Sequence, residues 1–116
     1  MGTDKPESQN DSTSNSLYIS TVDEFDQLLE HEDRVLVDFY ADWCGPCQMM
    51  EPIVNTLASD HANQVVKVDV DSLNELASRF RINSVPTFIL FINGEESERL
   101  IGYQDEGTLD GLLASA

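Results

Sequence analysis

Basic residues are scarce in this chain. Six lysines and arginines stand against 22 aspartates and glutamates, a formal net charge of −16 over 116 residues. Only two of the six are lysines, Lys5 and Lys67. Such a balance repels polyanions and excludes nucleic acid and anionic membrane as partners. Long hydrophobic runs are missing too, and nothing approaches the roughly 20 apolar residues of a membrane span. The opening Met1-Gly2-Thr3-Asp4-Lys5-Pro6-Glu7 has no apolar stretch of the signal-peptide kind. Pro6 stands where a myristoylation signal needs Ser or Thr. Cysteine is reduced to two residues, too few for the disulfide framework of a small secreted domain. These absences point to a cytoplasmic protein in a reducing compartment. The acid excess with little lysine has a plain reading, an ordinary acidic protein. The reading preferred here is adaptation to high salt, where acidic surfaces stay solvated, and hence a halophilic, archaeal cytoplasm.

The two cysteines that are present stand together in Trp43-Cys44-Gly45-Pro46-Cys47. They follow the apolar run Val35-Leu36-Val37-Asp38-Phe39-Tyr40 and precede a helical pattern. A strand that feeds C-x-x-C at a helix start is a redox layout. The first helical turn carries unsatisfied N–H groups and the positive end of the helix dipole. A thiolate is stabilised there, so Cys44 is expected to be acidic and nucleophilic. Cys47 follows one turn later, within reach of a small disulfide ring. Pro46 suits the first turn, where its missing N–H costs little, and Gly45 leaves the backbone uncrowded beside the sulfur. A structural disulfide or half of a zinc site is the alternative. Zinc needs four protein ligands, and His31 and His61 lie at no metal-site spacing, so no metal is expected.

Residues 1–16 are polar without hydrophobic period and are expected to be a disordered tail. Residues 17–116 read as one domain. Leu17-Tyr18-Ile19 is a short strand, and Thr21 to Glu24 has capping-box spacing before a helix bearing Val22, Phe25, Leu28 and Leu29. Arg34–Tyr40 is a central strand, apolar on both faces. The helix after Cys47 carries Met50, Ile53, Val54 and Leu57, with Pro52 expected to kink it. Val65–Val70 is the next strand, with Val65, Lys67 and Asp69 on one face. Asp71 or Ser72 can cap a short helix. Thr87–Ile92 is a strand, Asn93-Gly94 a hairpin turn, and Arg99-Leu100-Ile101 its antiparallel partner, ended by Gly102. Asp105 can cap the last helix. The fold class is α/β: a mixed, mostly parallel sheet of about five strands flanked by four helices.

The string Trp43–Cys47 resembles the active site of the thioredoxin family. Asp38-Phe39-Tyr40-Ala41, Pro52, Val85-Pro86-Thr87, Asn93-Gly94 and Gly102 also match, so the resemblance spans Leu17 to Ala116. It implies the thioredoxin fold and a protein-disulfide reductase with no bound cofactor, acting as a monomer. The Cys44 thiolate attacks a client disulfide, and Cys47 resolves the mixed disulfide. A flavoprotein thioredoxin reductase resets the pair. Clients are disulfide-containing proteins such as ribonucleotide, methionine sulfoxide and peroxide reductases. Asp38, a carboxylate within an apolar strand, reads either as a satisfied structural group or as a general base raised by burial. The resemblance puts it behind the disulfide as handler of the Cys47 proton. Lys67 matches a lysine near that aspartate, and reads equally as a solvent-facing strand residue. Trp43 reads as packing or as contact surface. The resemblance makes Val85-Pro86 a cis bond facing the disulfide, with the Val85 backbone pairing to an extended substrate, and Gly102 a flank of that groove. Gln48 and Tyr40 depart from the common lysine and tryptophan of the family. Gln48 removes a positive charge near the thiols and Asp42 adds a negative one. The same chemistry run as an oxidase or isomerase, and a non-catalytic assembly module, are the rival readings.

Overall fold

A computed structural model describes residues 17–114 of the chain. The element order is α1 (Val22–His31), β1 (Arg34–Tyr40), α2 (Gly45–Asp60), β2 (Val65–Asp69), α3 (Asn74–Arg79), β3 (Thr87–Ile92), β4 (Glu95–Ile101) and α4 (Glu106–Ala114). The expected tail over residues 1–16 lies outside the described residues.

Four strands form one sheet in the order β2-β1-β3-β4. The expected first strand at Leu17–Ile19 is reduced, among the described residues, to one parallel bridge between Tyr18 and Lys67. The Ile19 N–H donates to the Lys67 carbonyl at 3.0 Å, and the chain then enters the Thr21 cap of α1, whose hydroxyl accepts from the Glu24 N–H at 3.0 Å. The sheet is mixed, but it is less parallel than expected. β1 and β2 run parallel, whereas β3 is antiparallel to β1 and to β4. The register shows how: β2 ends with Asp69 opposite Tyr40, and β3 begins with Thr87 opposite Phe39. The chain re-enters the sheet at the end where β2 stopped, so β3 runs back along β1.

β1 is buried on both faces, and its alternation assigns the two cores. Val35, Val37 and Phe39 join Phe25, Val66, Val68, Leu76, Ile89 and Phe91 under α1 and α3. Leu36 joins Met50, Val54, Leu57, Val65, Phe88, Leu90, Leu109 and Leu113 under α2 and α4. Asp38, two residues from Leu36, takes the α2 side of the sheet. The helix caps differ in how they form. Asp105 accepts from the Thr108 N–H at 2.8 Å, as its place before α4 suggests. The α3 helix is instead preceded by Leu73, with no side-chain cap bond. Asp69 organises the turn there, its Oδ1 accepting from the N–H groups of Asp71 and Ser72 at 2.9 and 3.3 Å. Neither Asp71 nor Ser72 is left at the cap position, because the chain turns on Asp69 first. α2 is continuous through Pro52.

Candidate active site

β1 ends at Tyr40, and the turn through Ala41, Asp42 and Trp43 delivers Cys44 as the N-cap of α2. Its Sγ accepts the backbone N–H of Cys47 at 3.1 Å. One of the orphan donors of the first turn is therefore aimed at the sulfur. Cys44 and Cys47 are joined as a disulfide, with Cα atoms 5.2 Å apart. Both are buried, packed with Ala41 and bordered by Tyr40, Val70 and Val85. Pro46 occupies the first turn. A Cβ at Gly45 would meet nothing within 4 Å, so no packing inside the chain demands glycine there.

The antiparallel return of β3 brings a second segment to the dithiol. The Val85–Pro86 peptide is cis, and the Val85 carbonyl oxygen lies 3.5 Å from Cys44 Sγ. In the disulfide state that sulfur has no proton, so this is a close contact and not a donated bond. The Pro86 carbonyl accepts from the Gly102 N–H at 2.8 Å, and Gly102 sits at φ 90° in the left-handed region that glycine tolerates. Around this rim Trp43, Met49, Ile101 and Tyr103 are exposed, Trp43 to 71%. The Trp43 indole is nonetheless oriented, its Nε1 donating to Asp71 Oδ2 at 2.9 Å. Exposed apolar side chains of this kind are a usual mark of a protein-docking surface.

A buried polar pair stands on β1 and β2, the strands beside α2. Asp38 is 2% exposed, and its Oδ1 has no hydrogen-bond partner. Burial is the main force that pushes its carboxyl up to about 7; Lys67 pulls against that rise and Glu51 adds to it. Lys67 is Asp38's register partner on β2 and is equally buried at 2%. The reading of Lys67 as a solvent-facing strand residue is thereby excluded. Its Nζ sits 4.4 Å from the Tyr40 ring centre and 5.0 Å from that of Tyr18, and 3.8 Å from Glu51 Oε2. A crevice of about 340 Å³ runs along this corner, lined by Tyr40, Ala41, Asp42, Cys47, Gln48 and Glu51. Gln48 Nε2 donates to the Asp42 carbonyl at 3.0 Å and ties the two charge changes near the thiols together.

A larger crevice, about 680 Å³, holds neither cysteine; it is lined by Asp26, Glu30, Glu32, Asp33, Arg79 and the Asn93-Gly94 hairpin among others, at the opposite end of β3. His61 lies at the far end of α2 from the cysteines, with Nε2 2.8 Å from Asp110, and His31 Nδ1 lies 2.7 Å from the Gln27 carbonyl. The structure thus brings Cys44, Cys47, Trp43, Val85, Pro86 and Gly102 together, while Asp38 and Lys67 are linked to the dithiol corner through Glu51, which meets Lys67 and lines the crevice with Cys47. Sequence reasoning missed Glu51 and Asp71. Glu51 carried a usable signal, being four residues after Cys47 and so on the same helix face. Asp71 carried none.

The family model described as thioredoxin matches residues 16–115. The chain is similar to the thioredoxin of Mycoplasmoides gallisepticum, 43% identical over 97 residues, covering 83% of this chain and 97% of the relative. It is also similar to a bifunctional thioredoxin reductase/thioredoxin of Mycobacterium leprae, 42% identical over 87 residues, 73% of this chain and 19% of that protein. Among solved structures, a mutant thioredoxin from Halobacterium salinarum NRC-1 superposes with a TM-score of 0.79 at 48% identity, covering 85% of this chain and 88% of the other.

Proposed function

The chain belongs to the thioredoxin family and is a thiol-disulfide oxidoreductase, and on that premise we propose how its residues divide the work. The Cys44 thiolate attacks one sulfur of a client disulfide and displaces the other as a thiolate, which takes up a proton. Cys47 then loses its proton to Asp38 and attacks Cys44 Sγ, releasing the second client thiolate. Two electrons leave the dithiol for the client, and the Cys44–Cys47 disulfide remains. The observation that carries this order of roles is the helix cap. Cys44 Sγ accepts an N–H of α2, which favours the thiolate at that sulfur. Asp38 fits the acceptor role because burial lifts it to about 7, where it can both take and return a proton near neutral pH. Lys67 tempers that rise. Trp43, the Val85 backbone, Pro86 and Gly102 form the groove for an extended client segment, while Gly45 and Pro46 shape the first turn.

Disulfide-containing proteins are the clients, and a thioredoxin reductase resets the pair; the fused Mycobacterium leprae relative supports that partnership. A flavin in the reductase, a monomeric state and a cytoplasmic location complete the reading. No described helix is long and apolar enough to cross a membrane. Adaptation to high salt is supported by the net charge of −16 and by the Halobacterium salinarum neighbour. A disulfide-reduction assay with insulin as client and dithiothreitol as electron source tests the reading, together with a redox titration of the Cys44–Cys47 pair. Catalysed reduction and a reducing potential are expected. A strongly oxidising potential would turn the reading to disulfide formation, and an inert protein would make the fold a binding module.

A further inference from the structure

Asp38, Lys67 and Glu51 form a line from the buried sheet to the surface. Lys67 Nζ is the only cation among the charged groups named at this corner. It stands opposite Asp38 in the β1–β2 register and 3.8 Å from Glu51 Oε2. The Glu51 side chain is 53% exposed, whereas that of Lys67 is 2% exposed, so one ammonium inside the protein is shared between a buried carboxylate and one at the surface. Glu51 also lines the same crevice as Cys47, because it follows Cys47 by one helical turn on α2. Nothing in the fold requires an acid there: the residue is exposed, and an uncharged side chain of equal size fits the same surface.

We propose that Glu51 is a positioning residue for the resolving half-reaction: by holding Lys67 toward the crevice and away from Asp38, it controls the proton transfer from Cys47 to Asp38. This inference rests on the acceptor role given to Asp38 above. Two effects of Glu51 act in the same direction. Its negative charge opposes a second negative charge on Asp38, and its hold on Lys67 weakens the one attraction that would stabilise that charge. Asp38 is therefore a stronger base than it would be beside Lys67 alone. The other groups facing the pair leave this sign unchanged. From β2 comes Lys67 itself, from α2 Glu51, from β1 the phenol of Tyr40 with Asp42 and Asp69 acting on it, and from the Leu17–Ile19 segment the phenol of Tyr18; on the β3 side the register partner of Asp38 is the apolar Phe88. Tyr40 is pushed up to about 12, by burial first and then by nearby acids, and stays neutral through the range that matters.

The test uses the full chain and three variants, Glu51→Gln, Asp38→Asn and the double substitution. Two quantities are read: the pH midpoint of the Asp38 carboxyl by carbon NMR of the oxidised protein, and the pH profile of mixed-disulfide resolution in single turnover with insulin. With Glu51→Gln the Asp38 midpoint should fall by about half a unit, a size that allows for solvent screening of a half-exposed partner. The acid limb of resolution should move down by the same amount, and its plateau should drop roughly two-fold as the base weakens. The double variant should resolve like Asp38→Asn alone, since Glu51 acts through Asp38. If Asp38→Asn slows resolution while Glu51→Gln leaves both midpoint and profile in place, the inference on Glu51 falls and the acceptor role stands. An effect of Glu51→Gln that persists in the Asp38→Asn background also overturns it, because Glu51 would then act on Cys47 directly. If Asp38→Asn leaves resolution unchanged, the acceptor role and the inference fall together.

Discussion

Asp38 faces Lys67 across the β1–β2 pair, yet its buried Oδ1 makes no hydrogen bond. The two residues are neighbours in register without being closed into a salt bridge. A carboxyl in that condition keeps its proton up to about pH 7, because burial penalises the charge more than Lys67 rewards it. This makes Asp38 a stability liability as pH rises, and it is the property on which the proposed acceptor role rests.

The liability has a definite pH window. The folded-state carboxyl titrates at about 7, against an ordinary value of 3.8. The native state therefore binds the proton more tightly than the unfolded chain. Its contribution is complete below about pH 4 and is lost as pH rises through about 7. The difference corresponds to a ceiling on the order of 4 kcal/mol. Urea denaturation of Asp38→Asn and the unsubstituted protein, both oxidised, should give nearly equal stabilities at about pH 4, with the variant ahead by one or more kcal/mol at about pH 8. Parallel curves over that range would mean that Asp38 is no more costly in the folded protein than in the unfolded one.

The cysteines should not be interchangeable. Cys47→Ser leaves the capped Cys44 thiolate and removes the resolving thiol, so it should accumulate mixed disulfides with insulin that are released by dithiothreitol. Cys44→Ser should lose turnover and trap little. Trapping by Cys44→Ser in place of Cys47→Ser, seen on non-reducing gels, would reverse the assignment.

Gly102 combines a φ of 90° with an N–H donated to the Pro86 carbonyl at 2.8 Å. A methyl group there meets no neighbour within 4 Å, so the cost of Gly102→Ala is backbone strain alone. A loss of about 1–2 kcal/mol is expected, with a native circular dichroism spectrum. Insulin reduction should fall several-fold if the proposed client groove includes this backbone. Full activity with full stability loss would separate Gly102 from the groove.

Salt should stabilise the protein. With a formal charge of −16, like charges repel across the compact state more than along the unfolded chain. Screening length falls from about 30 Å at 0.01 M salt to about 3 Å at 1 M. The thermal midpoint should climb from low salt to molar potassium chloride, with insulin reduction retained. A flat or falling midpoint would remove the high-salt reading and leave the dithiol chemistry untouched.

The parts of the site that lie close together along the chain were legible from local chemistry. Strand, turn, Cys44 cap and Cys47 form one continuous stretch, and short-range rules of caps, prolines and spacing apply within it. The Thr21 and Asp105 caps and the Asn93-Gly94 turn, with φ of 51° and 83°, are of the same kind. Tertiary structure decided what meets that stretch. Val85 reaches Cys44 across 41 positions of sequence, because the chain re-enters the sheet at the end where β2 stopped and where the dithiol turn begins. The first strand shrinks to the Tyr18 bridge, and Asp69 takes the turn that Asp71 and Ser72 were expected to cap; both outcomes depend on where neighbouring segments stop. The sequence by itself determined a redox-active pair at the start of a helix. Only the folded sheet decided that Asp38 is buried with its Oδ1 unbonded and that Lys67 is shared with Glu51, since burial and charge separation are properties of the packed molecule and of no single segment.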